Sequence, residues 1–429
     1  MLLFTRAEQS GFTETSRLAD VQRFLDTVLA LDGAETFERS TFGHSRDGRP
    51  LELVRVPALG DEGGTTLRVL VLANIHGGEV CGKEAVQILL RELAAGEHQE
   101  LREGVELWLA PIYNVDGNER ITTTNRSNVN GPVGGLGERA NAESLDLNRD
   151  FIKVTAPETA SLLALLDRID PHVFYDLHTT NGADHAFHLT YAASLSPNAP
   201  ASIRDYLNEE HFPGVRERCL ETHTYRVFDY GNFPPDDRSQ YATFDHRPRF
   251  ATNYVGLRNR LAILSEAYAY EPFEVRVRAT RAFVLESLRG LQRDRERVVE
   301  LCETEDRVAE RGAALFRTQT ILADGWTGSI PTRPWDPLPV DGGTRRMRRS
   351  EITRVQTQIR VGFTAQDERT MPAEGWWLPA SVHETVTGTL QKHGVRVEPT
   401  NGANRAIVQR FVPVSQERAE RPFQGVHTV

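Results

Sequence analysis

A chain of 429 residues exceeds the size at which a single hydrophobic core stops growing, and 39% hydrophobic with 26% charged residues is the composition of a soluble globular protein. A formal net charge of −10 without a long basic run argues against a nucleic-acid partner, and no apolar run is long enough to cross a bilayer. Cys81, Cys219 and Cys302 are too scattered for a disulfide framework or a thiolate zinc cluster, and Met1-Leu2-Leu3-Phe4-Thr5-Arg6 lacks a basic stretch followed by an apolar one, so a cytoplasmic location is expected.

In chain order, apolar residues recur at helical spacing from Leu18 to Leu31, and Phe37 to Val56 alternates around the turn signal Ser45-Arg46-Asp47-Gly48. Helix then hairpin is expected. The run Leu67 to Ile75 is almost continuously apolar, the pattern of a strand buried on both faces, and Ala85, Val86, Leu89, Leu90 and Leu93 then mark one face of a helix that Cys81 opens as a small buried residue. Next come a strand from Val105 to Ala110, a Gly/Asn-rich loop to Ser144, a helix from Pro157 to Ile169, and strands Val173 to Leu177 and Leu261 to Ser265. The glycines from Gly131 to Gly137 have no strand running straight into a helix around them, so they read as a loop and not as a phosphate cradle.

This alternation predicts an α/β fold with a mixed, mainly parallel central sheet flanked by helices over residues 1–312. From about Phe316 the texture changes to Pro331, Pro334, Pro337, Pro339 and Gly342-Gly343, with alternating segments Thr353 to Val361 and Ala406 to Val414 and a helix from Ala380 to His393 capped by Gly394. A smaller β-rich accessory domain over residues 313–429 is expected. The run Arg345, Arg346, Arg348, Arg349 inside it reads as a solvated loop.

In open α/β sheets ligands bind at the carboxyl ends of the strands. His76 and Glu79 follow the first buried strand, Asn114 and Asp116 the second, His178 the third and Glu266 the fourth. A His and a Glu three apart on the first turn of a helix can grip one cation together, and a catalytic zinc commonly takes two His and one carboxylate while keeping a position for water. His76, Glu79 and His178 form that set, with Asp176 on the same side of its strand as His178 to orient an imidazole. Each piece alone is common by chance. The pair His185 and His188 lies in a loop without a neighbouring carboxylate ligand and reads as a pocket wall, and Glu266 also has a bland alternative as a buried partner of Arg258 or Arg260.

The segments Asn74-Ile75-His76-Gly77-Gly78-Glu79, Asn114-Val115-Asp116-Gly117, Asp146-Leu147-Asn148-Arg149, Asp176-Leu177-His178 and Ser265-Glu266 resemble, in order, those of the zinc metallocarboxypeptidases of the carboxypeptidase A type. The upstream turn Phe42-Gly43-His44-Ser45-Arg46-Asp47-Gly48-Arg49-Pro50 is similar as well, and the likeness covers about residues 15 to 300. It implies a Zn2+ held by His76, Glu79 and His178, Glu266 as general base and then acid, and Asn148 and Arg149 as the grip on the substrate's terminal carboxylate. An arginine's planar fork suits that last task, although a surface ion pair is the structural alternative for Asn148 and Arg149. Arg126 resembles the arginine that steadies the oxyanion, with Arg120 and Arg139 as competitors. The implied partner is a peptide or acyl-amino-acid with a free carboxylate, and neither nucleic acid nor membrane.

Three departures stand out. Gly78 occupies a position where many of these enzymes carry an arginine, and Thr179-Thr180 follow His178 where others have a serine and an aromatic. For the family's mobile tyrosine, Tyr254 is the choice, with a packing role as its structural alternative, Tyr241 another candidate and Phe244 nearer the expected spacing. The reading is therefore a metallocarboxypeptidase. Two alternatives are an N-acyl amino acid deacylase similar to aspartoacylase and succinylglutamate desuccinylase, and a binding module that kept the fold without activity.

Overall fold

The computed structural model describes residues 3–60, 64–182, 184–234, 236–310, 315–340, 343–370 and 376–399. Among the described residues nine strands precede residue 300: β1 (Glu38–His44), β2 (Pro50–Val56), β3 (Leu67–Ala73), β4 (Val105–Ala110), β5 (Val173–Thr179), β6 (Leu189–Ala193), β7 (Val227–Asp229), β8 (Gln240–Ala242) and β9 (Leu261–Ala267). All but β8 form one eight-stranded sheet in the order β1-β2-β4-β3-β5-β9-β6-β7. The neighbours β4, β3, β5 and β9 run parallel, β1 and β2 form the expected antiparallel hairpin at one edge, and β6 joins β9 antiparallel at the other. The mixed, mainly parallel α/β sheet is thus present.

Two-sided apolarity sets the depth of each strand. In β3, Val69, Val71 and Ala73 enter one core together with residues of the Cys81–Ala94 and Phe273–Arg293 helices, whereas Leu70 and Leu72 enter the other beside the Pro157–Ile169 and Ala251–Gly256 helices. Each fully buried Val or Leu stabilises the fold by about 1.5–3 kcal/mol, so this run belongs at the centre. Every residue of β5 is buried, including Asp176 and His178. Burial of those two polar groups at a strand end is the first structural sign of a site.

After the Arg295–Glu310 helix the strands are β10 (Leu315–Leu322), β11 (Trp326–Thr332), β12 (Trp335–Val340), β13 (Gly343–Arg348), β14 (Thr353–Arg360) and β15 (Phe363–Thr370). They form β10-β15 and β12-β13 ladders and a three-stranded sheet in which β14 lies between β11 and β8. Because β14 pairs in parallel with β8, the later strands complete a sheet begun before β9, and Ile330 and Ile359 pack with Phe187 and Tyr241 across that junction. The arginine run is not a solvated loop. It lies largely on β13, where Arg346 stacks on Trp335 at 4.1 Å and Arg348 lies 4.2 Å over Tyr268 and pairs with Glu271. The strand places these guanidiniums against aromatic faces, which are favourable seats for them.

The Ala380–Lys392 helix stops at Gly394, whose φ of +74° suits a residue without a Cβ. It returns to the sheet region, where Lys392 Nζ donates to the carbonyl of Val154 (3.0 Å) and His393 Nε2 lies 3.0 Å from the carbonyl of Ile152. The segment Ala406 to Val414 lies outside the described residues. Among the described residues no helix is long and apolar enough to cross a membrane.

Candidate active site

The carboxyl ends of β3, β5 and β9 open on one cavity of about 480 Å3. Beyond β3 the chain turns sharply at Asn74 (φ +65°), whose side-chain amide donates to the carbonyls of His76 (3.0 Å), Gly77 (3.2 Å) and Glu79 (3.3 Å). A Cβ on Gly78 would stand 2.5 Å from the carbonyl oxygen of Gly137 and 2.8 Å from Cδ of Arg126, so this backbone leaves no room for an arginine there. The turn delivers His76 and Glu79 together just ahead of the helix.

His76, Glu79 and His178 are all buried, and one donor atom from each lies within 4.8 Å of the others. Glu79 joins the two imidazoles: Oε1 lies 2.9 Å from Nδ1 of His76, and Oε2 lies 2.8 Å from Nδ1 of His178 and accepts from the Thr179 amide at 3.0 Å. Each imidazole turns its other nitrogen to a carboxylate, Asp146 at 3.2 Å for His76 and Asp176 at 2.7 Å for His178. A ligating imidazole is oriented in this way. Burial would raise the Glu79 carboxyl, but His76, Arg126 and His178 hold it well below its ordinary value. Two nitrogens and an ionised carboxylate, with both rings fixed from behind, fit a tetrahedral zinc that keeps one open position.

Glu266 stands beside the ligands because His178 and Glu266 are direct partners in the β5–β9 ladder. It lines the same cavity, and its Oε2 is shielded from solvent without a hydrogen-bond partner among the described residues. Burial raises this carboxyl to about 8, against the pull of His178 and with the charge of Glu79 adding to the rise. A cation among the ligands acts in the opposite direction. The bland alternative fails, since Arg258 pairs with Asp167 and Arg260 with Asp170 and Asp306.

Asn148 and Arg149 lie in a short 3-10 turn from Leu147 to Arg149, which the Asp146 carboxylate caps by accepting from the Asn148 amide at 2.9 Å. Both line the cavity and neither is a surface ion pair. Asn148 Oδ1 accepts from the Ala251 amide (2.8 Å), while Arg149 is buried, stacks on Phe250 at 4.0 Å, and makes no ion pair among the described residues. Burial lowers the Arg149 guanidinium to about 10, with Asp146 opposing and Arg139 and Arg249 reinforcing the drop, so it remains charged at neutral pH.

Two of the expected residues are not brought to the cavity wall. Arg126 pairs with Glu79 and donates to the Thr179 carbonyl (3.2 Å) and Asn181 (2.9 Å), so its fork is already engaged behind the ligand. Arg139 takes the place at the wall, 3.3 Å from Nδ1 of His76 and paired with Asp146 at 2.9 Å, whereas Arg120 pairs with Glu138 away from the site. Tyr254 is likewise displaced. On the Ala251–Gly256 helix it faces the core, its ring 5.6 Å from Phe151 and its hydroxyl 2.9 Å from Nδ1 of His393.

Tyr241 is buried against the later strands, and Tyr230 is the tyrosine that lines the cavity, 5.3 Å from Phe244 and held by Asn232 at 3.0 Å. Tyr230 directly follows β7, a three-residue strand that runs antiparallel to β9 by way of β6, so the rule of carboxyl strand ends does not point to it. His185 and His188 do not line the cavity. His185 packs among Phe187, Tyr241 and Tyr268, and His188 accepts from the Arg226 amide.

Residues 23–198 match the model of the family "Zinc carboxypeptidase". That segment is similar to the zinc carboxypeptidase family. Carboxypeptidase 2 of Trichophyton equinum is 25% identical over 179 residues, which are 40% of this chain and 30% of that protein. Human Carboxypeptidase Z is 33% identical over 123 residues, 27% of this chain and 18% of the relative. The matches therefore span less than a third of these relatives' own length. Among solved structures, a metallo-carboxypeptidase from Burkholderia cenocepacia aligns over 65% of this chain and 70% of its own at 17% identity with a TM-score of 0.50. A metallo-carboxypeptidase from Pseudomonas aeruginosa, in complex with (2-guanidinoethylmercapto)succinic acid, aligns over 66% and 70% at 21% identity with a TM-score of 0.50. These two likenesses establish a shared fold.

Proposed function

We propose that this chain is a zinc-dependent carboxypeptidase that hydrolyses the C-terminal peptide bond of a substrate with a free carboxylate. The observation that carries the reading is Arg149, a buried, charged guanidinium without an ion pair among the described residues, on the same cavity as the His76, Glu79 and His178 set. Burying an unpaired charge is costly, and a site that keeps one is built to receive the opposite charge.

Zinc, when bound, supplies a Lewis acid that acidifies water and polarises the scissile carbonyl. The protein's own groups do the rest. Arg149 pairs with the terminal carboxylate and fixes the peptide's depth in the cavity. Glu266 takes a proton from the attacking water on Oε2 and returns it to the leaving amine, so the C–N bond breaks as water is added across it. Arg139 is the wall guanidinium nearest the ligands and meets negative charge as it develops on the carbonyl oxygen. Asp146 and Asp176 hold the imidazoles in register. In this reading residues 1–312 are the catalytic unit and residues 313–429 an accessory one, whose strand β14 pairs with β8 and so braces the loop that walls the cavity.

The test is Glu266→Gln in the full chain. The variant should retain zinc at wild-type stoichiometry while kcat on a C-terminally free peptide falls by about 100- to 10,000-fold. Near-normal kcat would remove Glu266 from the proposed role. Hydrolysis of N-acyl amino acids by the wild-type protein without hydrolysis of peptides would overturn the peptidase reading itself.

A further inference from the structure

The cavity has a second electrostatic feature, on the side of the loop that runs from β8 to the Ala251–Gly256 helix. Arg247 and Arg249 line it in addition to Arg139 and Arg149. Outside the ligand set, two carboxylates answer these four guanidiniums. Asp146 serves Arg139, and Asp245 serves both Arg247 and Arg249. Asp245 is largely consumed by Arg247, whose Nε lies 2.9 Å and 2.8 Å from its two oxygens and whose backbone amide adds a further bond at 2.9 Å. Arg249 keeps a single contact with it, Nη2 at 3.0 Å, and its buried Nε has no hydrogen-bond partner among the described residues.

The charge count is decisive because the site is partly shielded from water, where uncompensated charge is expensive. The four arginines against Asp146 and Asp245 leave a surplus of two positive charges. A terminal carboxylate on Arg149 neutralises one. The other remains near Arg249, which like Arg149 lies against the ring of Phe250, their guanidinium carbons 5.3 Å and 4.0 Å from the ring centre.

We infer that the substrate's terminal residue is acidic, its side-chain carboxylate meeting Arg249 and Arg247 while Arg149 holds the α-carboxylate. This rests on the carboxypeptidase reading and narrows its substrate class. Phe244, Phe250 and Leu264 also line the cavity and would tolerate an apolar side chain, but such a side chain leaves Arg249 with no more than its single contact to the shared Asp245 and with its Nε unanswered after water is displaced. A lysine or arginine side chain fares worse, since it adds a positive charge where Asp245 is already held from two sides. A carboxylate one or two methylenes from the backbone carries the missing charge and accepts from the unpartnered Nε.

The experiment compares acylated dipeptides ending in Glu, Asp, Leu and Lys on the zinc-loaded full chain, and measures their binding to the Glu266→Gln protein by calorimetry. Peptides ending in Glu or Asp should exceed the Leu peptide in kcat/KM by about tenfold or more, with Lys the poorest, a factor equivalent to about 1.4 kcal/mol. Arg249→Gln should bring the Glu-to-Leu ratio toward one, and Arg249→Lys should restore part of it, because a point charge replaces the fork. If wild-type protein cleaves the Leu or Lys peptide as well as the Glu peptide, the inference is overturned and the carboxypeptidase reading stands. If the zinc-loaded protein cleaves none of them, that reading falls instead, and tighter binding of the Glu peptide than the Leu peptide to Glu266→Gln decides the inference by itself.

Discussion

The carboxyl ends of β3, β5 and β9 and the strands after Glu310 are held together by different forces. At the strand ends, polar groups are layered: Glu79 joins two imidazoles, Asp146 and Asp176 stand behind them, and Arg126 and Arg139 stand beside the carboxylates. In the later region the buried apolar residues among those described are Ile330, Pro331 and Ile359, and the attachment runs through the pairing of β14 with β8. The contrast separates two tasks. A buried polar network fixes atoms to within the tolerance of chemistry, whereas strand addition fixes the backbone of a loop, here the one from Phe244 to Phe250 that carries Arg247 and Arg249.

The largest expected effect comes from breaking the polar layer at its centre. His178→Ala removes a ligand, and it should lower zinc affinity well beyond the roughly 10- to 100-fold that losing an orienting group costs. Asp176→Asn should show that smaller loss. Zinc content after equilibrium dialysis against a chelator measures both, and a His178→Ala protein with full zinc and full activity would remove the site from the place assigned to it.

Next in size is Arg149→Ala, which spares the ligands and removes the charged fork. Hydrogen bonds to charged groups are worth about 1.5–3 kcal/mol, so KM for peptides with a free C-terminus should rise about 10- to 100-fold while zinc content holds. Peptides amidated at the C-terminus are the control. An equal rise in KM for both kinds of peptide would show that Arg149 supports the cavity wall and does not read the carboxylate.

The same contrast explains what could be read from the sequence. The runs Leu67 to Ile75, Val105 to Ala110, Val173 to Leu177 and Leu261 to Ser265 are long and apolar enough for periodicity to register, and the ends of three of them carry His76, Glu79, His178 and Glu266, which the structure brings to one cavity. Asn114 and Asp116 after Val105 to Ala110 do not line it and instead cap a short helix and hold Ser45 and Arg49. Strands of three residues carry no such signal, so β7 and β8 were invisible, and with them Tyr230 and the anchoring of the Phe244 to Phe250 loop. Tyr254 was misplaced because spacing along the chain says nothing about which face of the six-residue Ala251–Gly256 helix looks inward. Arg126 and Arg139 look alike in sequence, and both reach Glu79; Arg139 is held at the wall by Asp146, whereas Arg126 turns to the Thr179 carbonyl and Asn181.

The smallest expected effect lies at the junction of the two regions. Ile359 on β14 is a direct ladder partner of Tyr241 on β8, and with Ile330 it closes the small apolar cluster on Phe187 and Tyr241. Truncating a buried Ile to Ala costs about 2–5 kcal/mol in a full core, and this cluster, with few members and more room to relax, places Ile359→Ala near the lower end. Since β8 ends at Ala242, just before Phe244, the loss should reach the cavity as looser placement of Arg247 and Arg249, seen as a few-fold rise in KM for the preferred peptide. Denaturant unfolding should show the lower stability while zinc content stays at the wild-type value, because no ligand contacts this cluster. If Ile359→Ala lost zinc in proportion to stability, the two regions would be one cooperative unit, and the division between a polar layer that does chemistry and a strand addition that shapes the pocket would have to be abandoned.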